Sequence, residues 1–509
     1  MKNVFMIFLL ALAAVTASAA LPQPDLVAQI HFAGSQKFAI APNAAAFTNE
    51  FSSPEAVALR AQTADKLSRW LPVWLQANVG VPVAGGAARL RPLFDDLQRA
   101  EWWMEARAPV GGRADVALAI KLDAARAQLW QANLRPFFPA ASFKSGGGWL
   151  IFDSGTGSPK VGDALAQKIA TPATGWLSVD INWPRLTQWI PQLHALGLPE
   201  TRLSLTAPDD KLKVTGTLLF PDTLSLNLDP WQVPTGSLHQ PFVSFTAVRG
   251  ISAWLKGQAW AQPYRIEPSP NQAFVWALPQ IPFQTFVAVP FPDAANALMQ
   301  TYSRLQPIFS PSLASNPNGP VMGFSLQLTN REIHLTGVPF IAPYLQAIKE
   351  PAGQFLFGGV FPNTTRGAAL PADLFTQLSA RNMVLYHWEI TAERFGPKLD
   401  LLPQLAQLGL MLTAHKQLDG QSAAYRWLNR VGPKLGNSVT QITQTGPAEM
   451  TCTRKSAGLF TAAEMFALAN WLEADDFPGC DLSLPKRPAK LKRMHPNPAA
   501  TVPAPAPAH

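Results

Sequence analysis

The 509-residue chain predicts an α+β fold: repeated β-α-β-β units whose antiparallel sheets are covered by helices on one face, behind an α-rich N-terminal lead-in. Three observations carry that expectation. First, at five places an apolar, strand-like run gives way to a short polar residue and then an amphipathic helix: at Thr246, Asp123, Asn182, Asp293 and Thr391. Such a residue suits a tight strand-to-helix turn, because its side chain satisfies amides of the first helical turn. Second, a hairpin recurs almost by letter. Leu203-Ser-Leu-Thr206 with Val214-Thr-Gly216 is answered by Leu326-Gln-Leu-Thr329 with Leu335-Thr-Gly337, and the alternation marks strands with one buried and one wet face. Third, 15% charged and 48% hydrophobic residues describe a globular chain, and its 48 prolines punctuate strands and loops.

The elements follow in order. Residues 26–32 read as a strand. Ser53-Pro54-Glu55 starts a helix that Pro72 should kink or end before about Gln76, and a second helix is expected over 90–105, with Trp102 and Trp103 on its apolar side. Strands at 116–122, 176–181, 243–246, 285–289 and 383–390 each lead into a helix, and strands close the units at 148–153, 202–206, 212–216, 273–278, 326–329, 438–443 and 449–454. Residues 310–320 and 353–370 read as insertions, and 461–473 as a final helix. The expected domains are a signal (1–19), the α-rich lead-in (20–110), a first group of repeats (111–284), a second group with a C-terminal disulfide cap (285–484) and a disordered basic Pro/Ala tail (485–509).

The signal rests on Lys2, the apolar run 4–15 and Ala17-Ser18-Ala19, with the cut expected after Ala19 and an exported, periplasmic or secreted product. That apolar run is too short to favour a stable span, and no later stretch approaches roughly 18 uninterrupted apolar residues. In an exported chain Cys452 and Cys480 are best paired as a disulfide. Removing Lys2 and the tail cations Lys486, Arg487, Lys490, Lys492 and Arg493 from the net charge of +8 leaves +2, so the high isoelectric point does not make the body a nucleic-acid binder. The tail itself suits a weak electrostatic tether to an acidic envelope component.

Sequence motifs for chemistry are missing. There is no G-x-S-x-G elbow, P-loop, dinucleotide fingerprint or H-E-x-x-H, and the eight histidines have no ligand-like spacing, so neither cofactor nor metal is expected. Two carboxylates from different repeats could still meet in space as a glycosidase pair. One recurrence stands out: Arg126, Arg185, Arg249 and Arg394 each lie three residues after the polar junction residue. A cation in a first turn opposes the helix dipole, which points to an offsetting partner such as a carboxylate or strand-end carbonyls. Alternatively these arginines, with Trp183 and Trp254, line a face that binds an anionic or amphiphilic ligand.

With the signal, Arg249-Gly-Ile-Ser-Ala-Trp-Leu255 and Gln272-Ala-Phe-Val-Trp-Ala-Leu278 resemble uncharacterised exported proteins of Gram-negative bacteria of the Verrucomicrobia type. The resemblance implies the compartment and no activity. The resulting expectation is an exported, non-catalytic cell-envelope binding or scaffold protein. It would hold an apolar or amphiphilic ligand between repeats, because Trp176, Trp183, Trp189, Trp254, Trp260 and Trp276 crowd the centre. Lipid, glycan or another envelope component is the expected partner, and a secreted hydrolase acting on glycans is the alternative.

Overall fold

A computed structural model describes residues 26–39, 47–48, 51–80, 83–108, 115–155, 161–171, 175–188, 197–208, 211–239, 241–279, 284–309, 325–329, 331–337, 341–361, 376–395, 421–475 and 477–478. The signal, the basic tail and Cys480 lie outside these residues.

Eighteen strands among the described residues form one antiparallel sheet. The first eight are β1 (Leu26–Phe32), β2 (Trp102–Arg107), β3 (Asp115–Lys121), β4 (Ser142–Gly146), β5 (Trp149–Asp153), β6 (Leu177–Ile181), β7 (Glu200–Thr206) and β8 (Leu212–Leu219). The rest are β9 (Ser244–Arg249), β10 (Gln272–Ala277), β11 (Thr285–Pro290), β12 (Ser325–Thr329), β13 (Glu332–Thr336), β14 (Tyr344–Glu350), β15 (Gly353–Gly359), β16 (Met383–Ile390), β17 (Asn437–Gly446) and β18 (Glu449–Ser456). A seam joins two half-sheets where β8 pairs with β18, with Gly216 opposite Cys452 and Val214 opposite Arg454. Counted outward from the seam, the first half runs β8, β7, β6, β1, β2, β3, β5, β4. The second runs β18, β17, β16, β9, β10, β11, β15, β14 and ends in the extra hairpin β13–β12. With that hairpin set aside, the chain order of the strands is the same in both halves.

Two expectations change with this order. By position, β7–β8 corresponds to β17–β18, whereas the look-alike β12–β13 is an edge extension. In the pairing order the two halves meet through strands that lie on either side of 220–243 in the chain, and β1 from the lead-in is a central strand between β2 and β6.

Helices α1 (Ser35–Ala39), α2 (Pro54–Val79), α3 (Gly86–Arg99), α4 (Ala124–Leu134), α5 (Val161–Lys168), α6 (Trp183–Leu186), α7 (Ser252–Gly257), α8 (Ala294–Phe309), α9 (Thr391–Phe395), α10 (Ala423–Val431) and α11 (Ala462–Glu473) connect or cover the strands. Alternation along the strands assigns each cluster to a face. On one face, hereafter the helical face, Ile120, Leu150 and Phe152 pack with Leu75, Leu93 and Trp130 of α2, α3 and α4. On the same face α10 and α11 pack Leu428 and Met465 together with Leu59 of α2, and α8 packs Leu298 against Leu356. The reverse face is not bare: α5 buries Val161 and Leu165 against Ala117, Ala119 and Ile151. In the second half, the strap 220–243 lays Val233 and Leu238 over Phe245, Phe274, Trp276 and Phe357. Both faces of the sheet therefore carry packed elements.

Local chemistry explains where expectation held or failed. Asp123, Asn182 and Asp293 accept the backbone amides of Arg126, Arg185 and Asn296, as a helix cap should. Thr246 lies mid-strand instead, and α7 begins after Ile251 without a side-chain cap. Pro72 does not end α2, which runs on to the left-handed Gly80. Trp102 and Trp103 belong to β2, because β1 and β3 supply backbone partners on both sides. Residues 353–359, expected as insertion, are the core strand β15. Its glycines are there for space: a Cβ at Gly358 would stand 2.6 Å from the Tyr344 carbonyl oxygen.

Candidate functional site at the seam of the half-sheets

The four recurrent arginines do not assemble into one row. Following the antiparallel pairings, β3 and β16 end on one rim of the sheet and β6 and β9 on the other. Arg126 and Arg394 therefore follow strands that end at one rim, eight strand positions apart in the sheet, whereas Arg185 follows, and Arg249 closes, a strand that ends at the opposite rim. Each has local partners. Arg126 donates to Asp96 (2.6 Å) and to the Pro92 carbonyl, and Arg185 donates to the Leu26 carbonyl. Arg249 is 3% exposed and donates to five carbonyls, those of Leu228, Asp229, Ala380, Arg381 and Met383, with its guanidinium 4.5 Å from the Trp231 ring centroid. It ties the strap and the 380–383 turn to β9. Arg394 lies near Glu389, and burial lowers its pKa. Trp183 is buried and donates to the Thr201 hydroxyl, while Trp254 is 47% exposed on α7.

The side chains that do converge were not foreseen. Across β9, β16, β17 and β18 the helical face carries two adjacent cross-strand rows, Ser244–Glu389–Ser438–Ser456 and Thr246–His387–Thr440–Arg454. Six of these eight polar residues are at most 8% exposed. Arg454 makes a bidentate pair with Glu464 of α11 (2.7 and 2.8 Å) and donates through Nε to Thr440. Glu464 also accepts the Thr461 amide, and Glu389 accepts the Ala462 amide (both 2.8 Å). The block thus supplies acceptors for amides that the start of α11 leaves without helical partners. Burial raises the pKa of Glu389 against the pull of those hydrogen bonds. Burial, with Arg454 and Arg394 nearby, lowers His387 to about 4, so its ring is neutral, held 2.8 Å from Thr246 Oγ1. Cys452 is reduced in this structure, and burial pushes its thiol up to about 11, the opposite of a nucleophile's tuning. Among the described residues the buried hydroxyl oxygens of Ser438 and Ser456 have no hydrogen-bond partner. This block is a clamp for α11.

The reverse face of the seam is different. Strands β6, β7, β8 and β18 present Ser178, Asp180, Arg202, Thr206, Lys213, Thr215, Thr217, Thr451, Thr453 and Lys455, all partly or fully exposed. This polar strip lies between α5 on the first half and the strap on the second, with Ser204 buried among its partly exposed neighbours. Towards α5, Glu105 and Asp180 flank Gln29 on the strands either side of β1. Glu105 is 0% exposed and accepts from Gln29 (3.0 Å), Arg107 (2.6 Å) and Lys168 (2.7 Å). Asp180 is raised by burial, with Arg202 opposing. Among the described residues no group of three or more His, Cys, Asp or Glu side chains is placed to hold a metal ion, and no helix is long and apolar enough to cross a membrane.

No protein-family model, no curated protein and no solved structure matches this chain.

Proposed function

We propose that the chain is an exported, non-catalytic binding or scaffold protein of the cell envelope, and that its ligand lies along the reverse face where the half-sheets meet. The observation that carries this proposal is the strip of hydroxyl and charged side chains over β6, β7, β8 and β18, lying between α5 and the strap. Of the tryptophans that suggested an apolar ligand, Trp176, Trp183 and Trp276 are core, Trp254 is exposed, and Trp189 lies outside the described residues. A hydroxyl-lined strip favours a polar partner, and among envelope components a glycan fits it best. The alternative of a glycan hydrolase finds its best acid–base pair in Glu105 and Asp180. The complete burial and ion pairing of Glu105 favour binding over hydrolysis.

Several finer features belong to the same proposal. The half-sheets are two copies of one set of β-α-β-β units, and duplication created the seam. The Cys452–Cys480 disulfide closes the C-terminal cap, and two free thiols on titration in denaturant would count against it. The tail 485–509 acts as a salt-sensitive tether, lost on deletion.

The test is native mass spectrometry of the mature protein, residues 20–509, purified gently from its own envelope fraction. A retained glycan supports the proposal. A retained lipid returns the ligand to the amphiphilic class, and turnover of a glycan panel by the purified protein overturns the non-catalytic assignment.

A further inference from the structure

We infer that Lys213 and Lys455 form an anion-binding pair, and that the ligand of the seam is an acidic glycan whose carboxylate or phosphate groups seat between the two ammonium groups. This rests on the seam's reverse face being the binding surface.

The two lysines stand directly opposite each other in the β8–β18 ladder. Directly paired residues hold their Cβ atoms about 5 Å apart, and like charges in that position destabilise a sheet. A fold that keeps such a conflict at its central joint, where Thr or Gln would serve, has a local rule broken without a structural gain. Neither lysine has an ion-pair partner among the described residues. Among the described residues, the acids facing the same way are already engaged: Asp180 and Glu200 face Arg202, and Glu449, at the far end of β18, accepts from Thr445. Lys455 is exposed, Lys213 is partly so, and Lys211 adds a third exposed cation two residues before it.

Below the lysines the next rows are again matched pairs, Thr453 opposite Thr215 and Thr451 opposite Thr217. An anionic group between the ammonium groups replaces repulsion with two charge-assisted hydrogen bonds. Hydroxyls continuing along both strands suit the hydroxyls of a sugar chain, which an isolated lipid headgroup would leave unused. The pair therefore reads the charge and the threonine rows read the polymer.

Calorimetric titration of the mature chain with an oligogalacturonate, and with a neutral dextran oligomer of equal length, tests this at low and high salt. The expected result is salt-sensitive binding of the oligogalacturonate, weakened about tenfold in Lys213→Met and in Lys455→Met but unchanged in Lys349→Met. The thermal midpoints of the first two variants should be equal to or above that of the parent, because a repulsion has been removed. Equal binding of the neutral oligomer, or undiminished binding by the variants, overturns the anion pair and leaves the seam as a glycan surface. A lowered midpoint in both variants shows that the lysines serve the fold and overturns it too. Failure of both oligomers to bind overturns the seam assignment itself. Lysine-dependent binding only to phosphatidylglycerol vesicles replaces the glycan by a membrane.

Discussion

Strands β6–β8 and β16–β18 hold corresponding places in the two half-sheets, yet their helical faces are opposite in character. The first set presents Val179, Leu203, Leu205, Leu212 and Val214, packed with Trp176 in an apolar cluster. The second presents His387, Glu389, Ser438, Thr440, Arg454 and Ser456. Val214 and Arg454 even face each other across the seam. One backbone plan thus tolerates either chemistry, and what covers the face decides which. The amides at the start of α11 need acceptors, and the polar block provides them. Apolar burial stabilises the first region. In the second, the cost of stripping water from charges is offset only because every charge meets a partner.

The largest effect should come from breaking the polar side. Arg454→Met leaves Glu464 buried without its partner and should cost about 3–5 kcal/mol in urea denaturation. Replacing both, as Arg454→Met with Glu464→Leu, should recover part of that loss; full additivity would show that the pair is not coupled. On the apolar side, Leu203→Ala should cost about 2–5 kcal/mol, mainly as a cavity. Acid should separate the two regions next. His387 has a folded pKa of about 4 against about 6.5 unfolded, so its contribution is complete above pH 6.5 and is lost as pH falls towards 4, by up to about 3 kcal/mol. Glu389 works the other way: its raised pKa stabilises at low pH and that gain is lost as pH rises through the folded value. Midpoints measured across this range should therefore fall less in His387→Gln than in the parent, and more in Glu389→Gln. The smallest effect belongs outside both regions: Val275→Thr, on a residue 36% exposed, should shift stability by no more than about 0.5 kcal/mol.

Much of the fold was written in local chemistry. Asp123 and Thr461 mark the starts of α4 and α11 because capping is a matter of three neighbouring residues. Helix and strand were confused at Trp102–Arg107, where Trp, Met and Ala fit either period and only pairing with β1 and β3 decides. β4 and β15 were hidden by glycines that look like loop but serve a tight turn and close strand contact. The arginine recurrence was real as a pattern, and its partners, Asp96 and strand-end carbonyls, were the structural alternative that helix electrostatics suggested. The polar block and the lysine pair had no sequence signal. Their members come from 244–246, 387–389, 438–440 and 454–456 in one case and from 213 and 455 in the other, and the pairing that joins them is set by the whole sheet.

The division of labour between the two faces of the seam has one direct measurement: mass-spectrometric footprinting of lysine amines on the mature chain, with and without oligogalacturonate. Selective protection of Lys213 and Lys455, with Lys349 and Lys168 unchanged, would locate the ligand on the reverse face. Labelling of Lys213 and Lys455 that is unaffected by a bound oligogalacturonate would contradict the account and move the ligand elsewhere on the molecule.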